Sequence, residues 1–225
     1  LGSLPQCGFS VAAANLFASK LISPGTLMAV FLATSDEAIP ILLAHPEHIG
    51  DIWKLIAVKF VIAVFFGILL DLLLKHFDKK KEETDFHELC HDCGCHEHGV
   101  LYSAVKHTAG IVIFILILNL ALGFIVGAVG EEAFFNFIEG FGVFQPAAAA
   151  LVGLIPNCAS SVLLTELFIE GGLSFGSTVA GLSTGAGVGI LVLFKANKDI
   201  KENILIVALL YVIGVLAGSV LTFIM

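Results

Sequence analysis

Apolar residues in this chain come in long unbroken runs, and the polar ones collect in the gaps between them. Eight hydrophobic segments follow one another, at about residues 4–19, 24–45, 52–74, 101–129, 141–155, 157–169, 174–195 and 203–225. A helix needs roughly 20 apolar residues to cross the hydrocarbon of a bilayer, so the longer segments are predicted to be membrane-spanning helices. Three are short for a crossing: 4–19, 141–155 and 157–169. Pro5, Pro146 and Pro156 stand at or near their starts, where a helix can begin but not run through. These three are expected to be broken or re-entrant. The pattern recurs along the whole chain, which a cleaved signal peptide does not do.

The chain also aligns with itself. Residues 1–74 match residues 152–225 at a constant offset of 151, without a gap and with 19 identities. Pro5-Gln6-Cys7 with Ser10-Val11 pairs with Pro156-Asn157-Cys158 with Ser161-Val162, and Ser23 and Gly25 pair with Ser174 and Gly176. Leu and Val recur by composition alone, whereas matched Pro, Cys, Ser and Gly do not, so a duplicated fold is predicted. Five segments precede Pro156 from Pro5 onward, an odd number, which inverts the second copy relative to the first. The expected fold is an all-α polytopic membrane protein of inverted repeats with broken or re-entrant helices. Its parts are transmembrane repeat 1 (1–74), a His/Cys-rich loop (75–100) and transmembrane repeat 2 (101–225). Two helical segments precede the second copy and none the first, so the natural chain is expected to start earlier, giving five plus five helices.

Lysine placement orients this arrangement. Lys20, the group from Lys75 to Lys106, and Lys195, Lys198 and Lys201 fall on one face, which the positive-inside rule makes cytoplasmic. His45, Glu47, His48, Glu131, Glu132, Glu139 and Glu170 fall on the other, and only Lys54 and Lys59 stand outside the pattern. Composition agrees with the segments: 58% of residues are hydrophobic and 13% charged, and the mean hydropathy is +1.01. All 11 basic residues are Lys, so the bidentate Arg chemistry and extended basic face that serve nucleic-acid binding are missing, and nucleic acid is set aside as a partner.

Inverted repeats with discontinuous helices are the plan of secondary transporters, whose substrate sites sit at the repeat interface near the midplane. The repeated polar motif is therefore the first candidate site: Gln6, Cys7 and Ser10 with Asn157, Cys158 and Ser161. A pair of thiols suits a soft ion such as Cu(I), Zn(II) or trivalent arsenic. The other reading is that small residues let helices pack closely. A second candidate is Thr34-Ser35-Asp36-Glu37, since carboxylates at membrane depth are costly and mark ion or proton sites. Their repeat partners include Gly187 and Val188, so the acids exist in one copy only; a helix break reaching a water-filled vestibule would also accommodate them. Ser183 and Thr184, among Gly181, Gly185, Gly187 and Gly189, are expected to form the opposite wall. Glu166 is a weaker candidate, and Asp71 and Lys59 call for partners that the sequence does not identify.

The loop has a chemistry of its own. His87, Cys90, His91, Cys93, Cys95, His96 and His98 fall within 12 residues. Thiols on a cytoplasmic face stay reduced, which favours metal binding over disulfides, although the spacing matches no standard zinc finger.

Two stretches, Pro5-Gln6-Cys7-Gly8-Phe9-Ser10-Val11 and the later run Thr34-Ser35-Asp36-Glu37-Ala38-Ile39-Pro40, resemble the prokaryotic family of ten-helix heavy-metal exporters, whose members are labelled arsenic efflux proteins or manganese transporters. The likeness extends over essentially the whole chain and, more distantly, to the arsenical permeases. It implies an inner-membrane exporter of a metal or metalloid. The chain departs from that pattern in lacking the N-terminal helices, and its His/Cys loop need not be typical of the family. Expected partners are the lipid bilayer, the metal or metalloid ion and coupling protons, with homo-oligomerisation open. No tightly bound cofactor is expected beyond metal as substrate and in the loop. No Walker-type phosphate loop is present, so an ion gradient or a separate ATPase must drive any pumping. A channel and a membrane-anchored metal sensor remain as alternatives, while an intramembrane enzyme would need a nucleophile and base, and no His lies deep in a segment.

Overall fold

The computed structural model describes residues 8–34, 38–75, 138 and 140–224, and helical positions at 109–110, 112–113, 116–117, 120–121 and 123–124. Regular structure among the described residues is helical throughout. The first copy supplies α1 (Gly8–Ala18), α2 (Pro24–Ala33), α3 (Ala38–Ala44) and α4 (Ile49–Lys75). After α5 (Gln145–Gly153) come α6 (Cys158–Ile169), α7 (Phe175–Thr184), α8 (Val188–Ala196) and α9 (Ile200–Ile224). Shifted by the offset of 151, α2 falls on residues 175–184, the span of α7, and α1, α3 and α4 fall on α6, α8 and α9 to within two residues at each end.

Local chemistry sets these ends. Ser23 and Ser174 are N-caps whose hydroxyls accept from the backbone N–H of Thr26 and Ser177, both at 3.1 Å. Pro24, at the first helical position of α2, has no N–H to lose there. The Asp199 carboxylate accepts from the N–H groups of Lys201 and Glu202, opening α9. The three segments read as too short to cross form helices of 11, 9 and 12 residues. Two longer segments are interrupted as well: α2 stops before α3 at Thr34, which turns extended, and α7 stops before α8 at Gly185–Gly187. Gly187 has φ 54° and ψ −138°, a conformation side-chain-bearing residues avoid.

Among the described residues, four stretches are long and apolar enough to cross a membrane: Pro24–Ala44, Pro46–Leu73, Phe175–Ala196 and Ile200–Ile224. They differ in position. The Phe175–Ala196 stretch is 83% buried, whereas the windows on α4 and α9 are each 28% buried. Phe60, Phe65 and Leu72 on α4, and Val212, Leu216 and Phe223 on α9, point large apolar side chains outward. So do Val112, Ile113, Leu116, Ile117, Leu120 and Phe124, at helical spacing. A buried inner helix pair beside helices with outward apolar faces suits a lipid surround.

Packing exchanges elements between the copies. Within each copy, α2 lies along α4 and α7 along α9; across copies, α1 lies against α8 and α3 against α6. Gly25 approaches Gly67 so closely that a Cβ would strike its carbonyl oxygen, and Gly176 stands in the same relation to Gly218. One hydrophobic core joins Ala14 and Phe17 of α1 and Phe31 of α2 to Leu193 of α8 and Leu210 of α9. The other joins Leu42 of α3 and Leu55 of α4 to Leu164 of α6 and Leu182 of α7. Each core therefore draws on both copies.

Candidate functional site

Of the residues singled out in the sequence, Ser10, Thr34, Asn157, Cys158, Ser161, Ser183 and Thr184 are described. Gln6, Cys7, Ser35, Asp36 and Glu37 lie outside the described residues, as do His87, Cys90, His91, Cys93, Cys95, His96 and His98.

The second-copy motif is built around the start of α6. Pro156 ends the turn after α5, and Asn157, extended at φ −140° and ψ 144°, caps α6 by accepting from the Ala159 N–H through Oδ1 at 3.4 Å. Its Nδ2 is buried and has no hydrogen-bond partner among the described residues. Cys158 is the first residue of α6 and half-buried. Ser160 folds back, its hydroxyl donating to the Asn157 carbonyl at 2.7 Å. One residue on, Ser161 turns toward the α7–α8 break: its Oγ lies 3.5 Å from where a Cβ on Gly185 would stand. Ser10, its repeat partner on α1, reaches the other side of that break, with its Cβ 2.8 Å from the corresponding position on Gly189. The two repeat serines, one from each copy, thus converge on one interruption.

The break carries further polar groups. Thr184 donates through Oγ1 to the carbonyls of Ala150 at 2.8 Å and Gly181 at 2.9 Å, tying α7 to α5. Ser183 is fully buried, and its hydroxyl has no partner among the described residues. Buried polar atoms are nearly always satisfied, so the Ser183 hydroxyl and the Asn157 amide stand out among the described residues as groups with unused hydrogen-bonding capacity. An amide donor and a hydroxyl suit oxygen-bearing species, a hydrated ion or a hydroxylated metalloid. Thr34 is spent on structure, its hydroxyl donating to the Val30 carbonyl at 2.8 Å.

Sequence reasoning left two residues without partners, and the fold supplies them. Asp71 accepts from the Ser23 hydroxyl at 2.8 Å and the Gly25 N–H at 3.0 Å, completing the cap of α2. Lys59, 1% exposed, donates through Nζ to the Leu182 carbonyl at 2.7 Å and to the Thr34 carbonyl. A charge in mid-segment was the signal for it. Its partners, far away in sequence, gave none. Glu166 is exposed on α6. Among the described residues no three or more His, Cys, Asp or Glu side chains gather where they could hold a metal ion. Comparison with protein-family models, with curated proteins and with solved structures gives no match.

Proposed function

We propose that this chain is the membrane part of a secondary transporter that exports a heavy-metal cation, such as manganese or zinc, or an arsenic species by alternating access. The observation that carries the reading is the convergence of Ser10 and Ser161, equivalent positions of the two copies, on the interrupted α7–α8 stretch. Equivalent motifs meeting at a broken helix are what a site at a repeat interface requires. Each core draws on both copies. Rocking of one half of the bundle against the other would then open the site to alternate faces.

In this reading the repeats are inverted, Gln6, Cys7, Ser10, Asn157, Cys158 and Ser161 line the substrate path, and Asp36 and Glu37 hold the cation or a coupling proton. The membrane is the prokaryotic inner membrane, with the His/Cys loop in the cytoplasm, and the proposed family is the ten-helix heavy-metal exporters that residues 5–11 and 34–40 resemble. Thiol and carboxylate candidates separate the substrates. Manganese is a hard ion that prefers oxygen ligands, whereas arsenite and zinc favour sulfur.

The test is flux of metals and arsenicals in proteoliposomes holding the full-length protein, beside Cys7→Ala/Cys158→Ala and Asp36→Asn/Glu37→Gln variants. Saturable movement of one species, abolished in one variant pair, is expected. Conductance without coupling would point to a channel, and metal held by residues 87–98 with no movement of any species would leave a sensor.

A further inference from the structure

Lys59 stands where both interrupted helices end. Thr34 is the C-cap of α2, and Leu182 lies in the last turn of α7. Carbonyls in these places lack an onward helical partner and carry the negative end of the helix dipole. At α7 the loss is explicit: the Ala186 N–H, which would have closed the turn on Leu182, goes to the Thr184 carbonyl at 2.8 Å instead. The Nζ of Lys59 joins the two ends, accepted by the carbonyls of Leu182 and Thr34. Carbonyl oxygens from separate chain segments directed at one positive centre are the ligand chemistry of a hard cation. The charge is confined to one copy, because the repeat partner of Lys59 is Leu210.

We propose that the Lys59 ammonium is a tethered cation occupying a hard-cation site formed by the helix-end carbonyls of Thr34 and Leu182, and that a transported or coupling hard cation binds there by displacing it. The proposal deepens the transporter reading and rests on it. No covalent bond is made or broken: the ammonium keeps its proton and swings away on its flexible four-carbon stem, and the cation takes over its carbonyl oxygens. The ammonium and a bound cation would need the same two carbonyl oxygens, so one excludes the other from them. While the ammonium is in place it ties α4 to α2 and α7. A bound cation releases that tie, which links occupancy to movement of α4 against the interrupted pair.

The experiment uses the full-length protein in lipid nanodiscs with two probes, Mn²⁺ as cargo and Na⁺ as coupling ion. Reaction of Lys59 with a small amine reagent is followed by mass spectrometry, Mn²⁺ binding by the loss of its free paramagnetic signal, and Na⁺ binding by broadening of the sodium NMR line. Saturating the productive cation is expected to speed Lys59 modification at least about tenfold, as the population shifts to the released side chain. In Lys59→Met, which keeps the length but not the charge, Mn²⁺ or Na⁺ is expected to bind about tenfold more tightly than in the wild type. A response to Mn²⁺ alone makes the site the cargo site, and a response to Na⁺ alone makes it the coupling site. If a cation binds while the Lys59 rate stays unchanged, or if neither cation binds even in a folded Lys59→Met, the ammonium is a structural pin and the proposal is overturned. Where Lys59→Met does not fold, the wild-type labelling decides alone. Flux with an unmoved Lys59 would leave the transporter standing without this site; displacement without flux would leave the site and remove the transporter.

Discussion

Ser23 and Ser174 hold the same place in the two copies, yet their partners on the long helices differ. Both cap a helix, and both touch the long helix of their own copy: Ser23 donates to the Asp71 carboxylate at 2.8 Å, whereas Ser174 meets the Thr222 hydroxyl at 3.4 Å. Asp71 also takes the Gly25 N–H, so the α2 cap rests on charge-assisted bonds to the first-turn donors. Asp71→Ala is expected to cost about 1–2 kcal/mol, the usual worth of a cap and a hydrogen bond to a charged group. Thr222→Ala should cost less, about half a kcal/mol, because it removes only a long neutral contact to the cap and a bond back to the Gly218 carbonyl at 2.9 Å within its own helix. Thermal unfolding of the two purified variants in detergent compares them directly, and equal losses would mean that the carboxylate adds nothing. Both serines were legible in the sequence because Ser-x-Gly recurs at the offset of 151. The role of Asp71 was not, because it reaches back 48 residues to Ser23 and no local pattern encodes that. Lys59 was hidden in the same way: its bond to Leu182 spans 123 residues.

At the scale of elements, the sequence located every helix that a proline or a capping serine announces, and its hydropathy alone underestimated the interruptions. Segments 24–45 and 174–195 have continuous hydropathy; the acids after Thr34 and the glycines around Gly187 are the sequence signals that the backbone can break there. The unwinding is local chemistry. Gly187 sits at φ 54°, ψ −138°, so Gly187→Ala must either strain the peptide or reshape the break. The expected cost is about 1–3 kcal/mol. Joining the two helices instead would raise helicity in circular dichroism, and such a rise would show that the interruption is a weak preference. Close approach gives a second prediction. A Cβ on Gly176 would overlap the Gly218 carbonyl, whereas one on Gly50 meets nothing within 4 Å. Gly176→Ala is therefore expected to lower stability by about 2–3 kcal/mol, and Gly50→Ala to change it by no more than about half a kcal/mol. Comparable effects of the two would mean that α7 and α9 are not in intimate contact in the membrane.

For the whole molecule the decisive quantity is the relative direction of the copies. The duplicated order of helices follows from residues matched over 74 positions. The cross-pairing of α1 with α8 and of α3 with α6 was not legible, since exchange between copies leaves no trace in either copy alone. Neither observation fixes which way the second copy faces the bilayer, and the transporter proposal depends on it. Equivalent turns supply the test. Lys20 lies between α1 and α2, and its repeat partner Gly171 between α6 and α7. In an inverted arrangement these turns lie on opposite faces; in a parallel duplication they share one. With the loop cysteines replaced by Ser, Lys20→Cys is expected to react with a membrane-impermeant thiol reagent only from the cytoplasmic side. Glu170→Cys, beside Gly171 and exposed, is expected to react only from the other side. Lys198→Cys, in the turn before α9, provides the cytoplasmic reference through the positive-inside rule. Labelling of the 20 and 170 positions from the same face would make the copies parallel, and the two interrupted helices would then no longer be related by an axis in the membrane plane. Alternating access by exchange of equivalent halves would lose its structural basis. Labelling from opposite faces would make the two ends of the bundle interchangeable by symmetry, the property that allows one sequence repeat to form both the inward and the outward gate.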